Sequence, residues 1–221
     1  MAVVFSDVGG TVFEGAPWSH LREHTSWNKT RGNLEFTKFL PTYIGSKIGI
    51  VSETKMRQHW LAGMAQIFKG MSRDELRTMY SETIETHLSK IFRRDVVARL
   101  QGHKVDGHTV ILVSGIFTDL VQLIAENIGI DGAIGTQMEF KEDIATGKLV
   151  GIPCVGTQKI EYIKQFISNN HPDVDLADCY GYADSYSDRA LLSAVGHGVA
   201  TYPDDEMRQV AVSSGWEIIP T

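Results

Sequence analysis

The sequence contains little that could cross-link it, because only two of its 221 residues are cysteines. Cys154 and Cys179 stand outside any C-x-x-C pair and outside any Cys/His ligand pattern. Isolated cysteines of this kind are typical of buried free thiols. We therefore expect neither a disulfide nor a zinc site.

The sequence also lacks long apolar runs and clusters of basic residues. No apolar segment approaches the roughly 18 residues of a membrane span. No basic residues precede the short N-terminal apolar run, as they would in a signal peptide. Acidic residues outnumber Lys and Arg by 27 to 21, which gives a net charge of −6. We therefore expect a cytoplasmic protein that has neither nucleic acid nor a membrane as its partner.

The first eleven residues carry the first chemical signal. An apolar run from Ala2 to Phe5 predicts a strand that is buried on both faces of a parallel sheet. Asp7 follows it, and Gly9 and Gly10 then let the backbone turn. A carboxylate at the carboxyl end of a central parallel strand lies where open α/β sheets bind ligands. An ordinary surface turn fits this short stretch equally well.

Residues 12–100 have a different pattern. Met56, Trp60 and Met64 recur at helical spacing, and Ser72 and Glu75 have the spacing of a capping box that opens a further helix. We interpret this region as a mostly helical insertion. Its Met and Trp side chains suit a packed core better than cofactor contacts.

Strands and helices alternate again after residue 108. Thr109–Val113 is a second apolar strand, and the residues from Asp119 to Ile128 have the periodicity of an amphipathic helix. Further strands are predicted at 134–140, 148–150, 176–183, 197–201 and 216–219, a turn at 142–147, and helices at 158–168 and 189–195. This alternation favours an α/β fold with a doubly wound parallel sheet.

Three of the predicted strands end in polar groups. Asp7 follows the first strand, Ser114 the second, and Asp184 with Asp188 a later one. The carboxyl ends of parallel strands share one edge, so these groups can converge on one crevice. Lys159, near the start of a helix, adds an ammonium group.

The residue types in this set favour metal and phosphate chemistry. Crowded carboxylates take up protons unless a cation lies between them. Oxygen ligands without His or Cys favour a hard ion, and Mg²⁺ fits best. Ser114, the nearby amides and Lys159 then form a cradle for a phosphoryl group. Asp7 can attack its phosphorus to form an aspartyl-phosphate.

Four motifs in this order resemble those of the haloacid-dehalogenase-like hydrolase superfamily, nearest its phosphoserine-phosphatase-like branch. They are Val4-Phe-Ser-Asp7-Val-Gly9-Gly10-Thr11, Ile111-Leu-Val-Ser114-Gly115, Gly156-Thr-Gln-Lys159 and Tyr182-Ala-Asp184-Ser-Tyr-Ser-Asp188. The resemblance implies a Rossmann-like core, residues 1–13 and 101–221, with the helical insertion of residues 14–100 as its cap domain.

The resemblance also implies a Mg²⁺-dependent phosphatase that acts on a small-molecule phosphate ester. Asp7 would be the nucleophile. Asp7, the carbonyl of residue 9 and Asp184 would hold Mg²⁺, with Asp188 supporting them. The phosphoryl group would be bound by Gly10, Thr11, Ser114, Gly115 and Lys159.

The sequence departs from the family at residue 9. The family has an aspartate there, which protonates the leaving oxygen and later activates water, whereas this chain has Gly9. Loss of such a group costs about 10²–10⁴ in rate.

Three explanations for Gly9 are open, in this order: a substitution introduced to trap an intermediate, a weakly active or purely binding relative, and phosphonate cleavage. The last requires a Schiff-base lysine from the cap, where Lys29, Lys38, Lys47, Lys55 and Lys69 are available but suit a solvated surface better.

The cap gives few signals for the substrate. Phosphoserine phosphatases have a glutamate in the cap shortly after motif one. In this chain the nearest acidic residue is Glu14, and the position equivalent to that glutamate is closer to Ala16. Arg57 is the one candidate for a substrate carboxylate. Phosphoserine is therefore not favoured. Aromatic cap residues suggest a larger or more apolar leaving group, although a packed cap explains them as well; they are Trp18, His20, Trp27 and Trp60.

Overall fold

The structure, a computed structural model, describes residues 1–15, 17–21, 24 and 28–220. These residues build a seven-stranded sheet in the order β4-β3-β2-β1-β5-β6-β7. The strands are β1 (Val3–Ser6), β2 (Thr109–Phe117), β3 (Gly132–Lys141), β4 (Ile144–Val150), β5 (Tyr180–Ala183), β6 (His197–Thr201) and β7 (Glu217–Ile219). All neighbouring pairs are parallel except β3 and β4. The predicted α/β fold with a parallel sheet is confirmed, except that β4 pairs with β3 in the antiparallel direction.

The described residues between β1 and β2 form five α-helices and a short 3-10 helix, Leu88–Lys90, and contribute no strand to the sheet. The α-helices are α1 (Trp18–Leu21), α2 (Lys29–Lys47), α3 (Glu53–Ile67), α4 (Arg73–Thr86) and α5 (Arg94–Val105). The boundary predicted at residue 100 falls within α5, which contacts β2. The division into core and cap domains stays a prediction.

Four further helices connect the later strands among the described residues. They are α6 (Thr118–Asn127), α7 (Gln158–Asn170), α8 (Arg189–Ala194) and α9 (Asp205–Ser214). None of the helices in the described ranges combines the length and the apolar character needed to cross a membrane.

Strand β1 lies at the centre of the sheet and is buried on both faces. Val4 packs into one apolar cluster, and Val3 and Phe5 pack into a second cluster on the opposite face with residues of α7. Connections run outward from β1 in both directions, so this strand is the topological switch point of the sheet. The residue that follows it is therefore placed at the expected ligand-binding edge.

Local chemistry explains where the helices and turns begin. The capping box is present, because Ser72 Oγ accepts from the N–H of Glu75 and the Glu75 carboxylate accepts from the N–H of Ser72 at 2.7 Å. The predicted turn at 142–147 is wrong. Glu142 and Asp143, with φ of 50° and 63°, form a two-residue hairpin turn, and β4 starts at Ile144.

Other element predictions need correction. The strand predicted at 176–183 begins as a 3-10 turn, Leu176–Asp178, and only Tyr180–Ala183 is strand. Helix α9 was missed by the sequence analysis, although Asp204 caps it through a 2.7 Å hydrogen bond from the N–H of Met207. The two cysteines, Cys154 and Cys179, are free and buried as expected.

Candidate active site

One cavity of about 240 Å³ lies at the carboxyl ends of β1, β2 and β5. Seven of the predicted site residues line it: Asp7, Gly9, Ser114, Gly115, Lys159, Asp184 and Asp188. The parallel sheet brings these residues together from positions as far apart as 7 and 188 in the chain. Gly10 and Thr11 do not line this cavity and lie beside Asp184.

Lys159 links two of the carboxylates. Its Nζ lies 2.6 Å from Asp7 Oδ1 and 2.8 Å from Asp188 Oδ1. The lysine is 3% exposed, and both partners are also buried. A buried charge is tolerated only when it is paired and hydrogen-bonded. Lys159 therefore fixes the position of Asp7 and offsets part of the negative charge.

Asp184 is held from the side by the segment that follows β1. Thr11 Oγ1 donates to Asp184 Oδ1 at 3.1 Å. Gly10 has a φ of +84°, and a Cβ at this position would lie 2.0 Å from Asp184 Oδ2. Only glycine fits both the backbone conformation and the close approach of the carboxylate. These contacts make Gly10 and Thr11 supports for Asp184, and their predicted contact with substrate stays a prediction.

The carboxylates outnumber the cations that touch them directly. Burial, reinforced by the charges of Asp7 and Asp188, raises the pKa of Asp184 to about 7. Burial also raises the pKa of Asp7, against the opposing effect of Lys159. At neutral pH the site therefore favours taking up a proton or a cation.

Ser114 occupies an irregular part of β2. The pairing of β2 with β3 shifts register between Val113 and Phe117, and Ser114 Oγ accepts from the N–H of Ile116 at 3.4 Å. A Cβ on Gly115 would lie 2.9 Å from Val155 Cγ1, so a larger residue would be crowded. The strand thus continues past Val113, where the sequence analysis ended it, and the irregularity places Ser114 at the cavity.

Helix α3 supplies the opposite wall. Arg57, Trp60 and Leu61 all line the cavity. Arg57 Nη2 lies 2.8 Å from Glu53 Oε1. Burial alone would lower the pKa of Arg57, but Glu53, Asp188 and Asp7 outweigh it and raise the pKa. Leu61 was not predicted as a site residue, although its spacing of four from Arg57 puts both side chains on one helix face.

Asp204 is a further residue that acts on the site indirectly. Its Oδ2 accepts from the N–H of Tyr186 at 2.9 Å, and its own N–H donates to the carbonyl of Asp184 at 3.0 Å. It therefore connects the loop of Asp184 and Asp188 to the start of α9. The signal in the sequence that could have identified Asp204 is the Pro203-Asp204 pair, which places a residue of N-cap type before a helix.

The other cap candidates that the structure describes do not line the cavity. Glu14 is exposed, and His20 stacks on His87 with ring centroids 5.1 Å apart. The five candidate lysines are exposed, and none of them lines this cavity; they are Lys29, Lys38, Lys47, Lys55 and Lys69. Ala16, Trp27 and the side chain of Trp18 lie outside the described residues.

Comparisons with known proteins agree with this architecture. Residues 4–193 match the model of the haloacid dehalogenase-like hydrolase family. Phosphoserine phosphatase SerB1 of Mycobacterium tuberculosis (strain ATCC 25618 / H37Rv) is 37% identical over 118 residues, which are 53% of this chain and 38% of that protein. The chain spans about half or less of the length of the first curated relatives that it matches.

Solved structures show the same fold. A protein of unknown function from Bordetella pertussis Tohama I has a TM-score of 0.81 at 21% identity and covers 99% of this chain and 97% of its own. A substrate-bound phosphoserine phosphatase has a TM-score of 0.61 at 14% identity, covering 94% and 89%. Since the family model spans most of the sequence, the protein belongs to the haloacid dehalogenase-like hydrolase family.

Proposed function

We propose that the protein is a Mg²⁺-dependent phosphomonoester phosphatase that acts through an aspartyl-phosphate on Asp7 and is slowed by Gly9. The observation that carries this is the buried Asp7 carboxylate, held 2.6 Å from Lys159 Nζ in a cavity that Asp184 also lines. Family membership and a relative named as a phosphatase support it.

The side chains suggest a division of roles. Asp7 Oδ1 accepts a hydrogen bond from Lys159 Nζ, so Oδ2 is the oxygen available to attack phosphorus. Lys159 keeps Asp7 oriented and offsets charge as it moves onto the phosphoryl oxygens. Ser114 and the amides around Gly115 donate to those oxygens. Helices α1–α4, within residues 14–100, would cover the cavity as a cap and surround the leaving group.

The donor set fits a magnesium ion. Among the described residues, no group of three or more His, Cys, Asp and Glu side chains could hold a metal by itself. Mg²⁺ needs fewer, because it retains several waters and often uses one or two carboxylates. Asp7, Asp184 and the main-chain carbonyl of Gly9 would hold it, with Asp188 behind them. When bound, the ion would offset the charge of the carboxylates and of the phosphoryl group.

Magnesium binding should release protons from the site. The pKa of Asp184 is raised to about 7 from 3.8, so the folded state favours its protonated form. Without metal, the free energy of unfolding should fall as pH rises from 3.8 to about 7. Near pH 6, Mg²⁺ should displace up to about one proton, measured by calorimetry in buffers of different ionisation enthalpy.

Two variants test whether Asp184 is the group that releases the proton. Binding of Mg²⁺ should also raise the Tm of the protein. Asp184→Asn should lose both the proton release and the rise in Tm, whereas Asp173→Asn, at an exposed position, should keep both. Metal binding without proton release would contradict the assignment.

Hydrolysis of nitrophenyl phosphate tests the function. The protein should release nitrophenolate in the presence of Mg²⁺, and this release should stop when EDTA is added. Gly9→Asp should hydrolyse it faster, because the substitution restores a proton-transfer group. Absence of turnover in both forms would overturn the proposal.

The two alternatives predict different results. A binding relative would show affinity for phosphate esters without turnover even as Gly9→Asp. Phosphonate cleavage requires a substrate imine that borohydride traps, and the exposed cap lysines, none lining the cavity, do not support it.

A further inference from the structure

The cavity offers the leaving group no evident proton donor among its described lining residues. Its titratable side chains are Asp7, Arg57, Lys159, Asp184 and Asp188. Asp7 is the proposed nucleophile. Lys159 directs its ammonium at Asp7 and Asp188, and a guanidinium such as that of Arg57 does not release its proton in proteins.

The remaining carboxylates are committed elsewhere. Asp188 Oδ1 accepts from Lys159, and Asp184 Oδ1 accepts from Thr11. In the proposed function both lie on the metal side of Asp7, and bound Mg²⁺ would displace the proton that Asp184 favours without metal. Ser114 and Ser185 also line the cavity, but a serine hydroxyl is too weak an acid to protonate a departing alkoxide. The position two residues after the nucleophile, where a donor could stand, is Gly9.

The backbone at Gly9 has room for a side chain. Its φ is outside the left-handed region, and an added Cβ would meet only the carbonyl oxygen of Gly15, at 3.3 Å. A displacement of a few tenths of an ångström would relieve that contact. The glycine is therefore not required by the fold in the way that Gly10 is.

The opposite wall of the cavity suits an apolar leaving group. Trp60 and Leu61 from α3 present aromatic and aliphatic surface, and Pro17 and Ile116 also line the cavity. Arg57 adds one positive charge on the same helix face. An aromatic ring with a negative oxygen would complement this combination.

We propose that Gly9 restricts the enzyme to phosphate monoesters or anhydrides whose leaving groups depart as anions without taking up a proton, namely aryl, enol and acyl phosphates. This rests on the proposed function. A bond forms between Asp7 Oδ2 and phosphorus, the bond from phosphorus to the leaving oxygen breaks, and both electrons stay on that oxygen. The product of this step is a phenolate, enolate or carboxylate together with phosphorylated Asp7. Water then cleaves the aspartyl-phosphate, and the proton passes to solvent.

The test is a series of esters with rising leaving-group basicity: dinitrophenyl, nitrophenyl, phenyl and methyl phosphate. In the protein with Gly9, kcat/KM should fall steeply along the series. Gly9→Asp should raise it by about 10²–10⁴ for methyl phosphate and by less than about tenfold for dinitrophenyl phosphate. Gly9→Asn, which has the same shape without an acid, should retain the steep fall. With dinitrophenyl phosphate, the Gly9 form should also give a burst of one phenolate per site, because the second step lacks a base to activate water.

The outcomes separate this inference from the proposed function. An equal gain along the whole series, or the same gain from Gly9→Asn, would overturn the inference and leave the phosphatase intact. If neither the Gly9 form nor Gly9→Asp releases any leaving group or gains the mass of a phosphoryl group, the proposed function fails, and the inference fails with it.

Discussion

Replacing Asp7 by asparagine should eliminate both turnover and the phosphorylated enzyme. An amide is not a nucleophile, and loss of an enzyme's nucleophile costs on the order of 10⁶ in rate. Turnover is best compared in the Gly9→Asp background, where it is expected to be higher, and the burst and the phosphorylated enzyme in the Gly9 form, where the second step is expected to be slow. Dinitrophenolate release and the intact mass of the protein after mixing with dinitrophenyl phosphate are the two measurements. Neither a burst nor the added mass should appear.

The same substitution should leave the fold intact. Burial raises the pKa of Asp7 in the folded protein, so an ionised Asp7 costs the fold free energy above its ordinary pKa. An uncharged asparagine removes that cost, and Lys159 keeps Asp188 as its partner. The Tm at neutral pH should therefore be equal or higher. Asp106→Asn, at an exposed position, should change neither activity nor phosphorylation. A phosphorylated Asp7→Asn protein would show that another residue is the nucleophile.

The sheet could be predicted from the sequence because its strands are short apolar runs that end in chemically distinctive residues. Val3, Val4 and Phe5 have no polar alternation, and they are completely buried on both faces. The carboxyl ends of parallel strands share one edge of the sheet, whatever the order of the strands. Convergence of Asp7, Ser114 and Asp184 was therefore predictable as a consequence of topology.

Contacts that depend on tertiary placement were not predictable. The apolar face of α3 was expected to be core, and Met64 is core, but Trp60 and Leu61 also line the cavity. Hydrophobic periodicity shows that a face is covered, without showing whether protein or ligand covers it. Gly10 likewise looked like turn chemistry until the carboxylate of Asp184 was placed beside it.

The second large effect is expected from Lys159→Met. Methionine fills a similar volume but leaves Asp7 and Asp188 without the ammonium that lies 2.6 and 2.8 Å from them. Removing one partner of a buried ion pair typically lowers the free energy of unfolding by about 3–5 kcal/mol. Phosphorylation of Asp7 should also slow, because the nucleophile loses its orientation. Chemical denaturation and the initial rate of dinitrophenolate release measure the two effects.

The pH dependence identifies the cause of that loss. Without the cation, less positive charge opposes the effect of burial, so the pKa of Asp7 should rise further and the folded variant favours its protonated form. Its destabilisation should then be small in acid, where Asp7 is protonated in the folded variant, and should grow as pH rises. Lys164→Met is the matched control on the same helix, because Lys164 is exposed and lies 3.6 Å from the exposed Glu161. A loss of equal size at every pH would indicate a packing defect and would contradict the electrostatic role of Lys159.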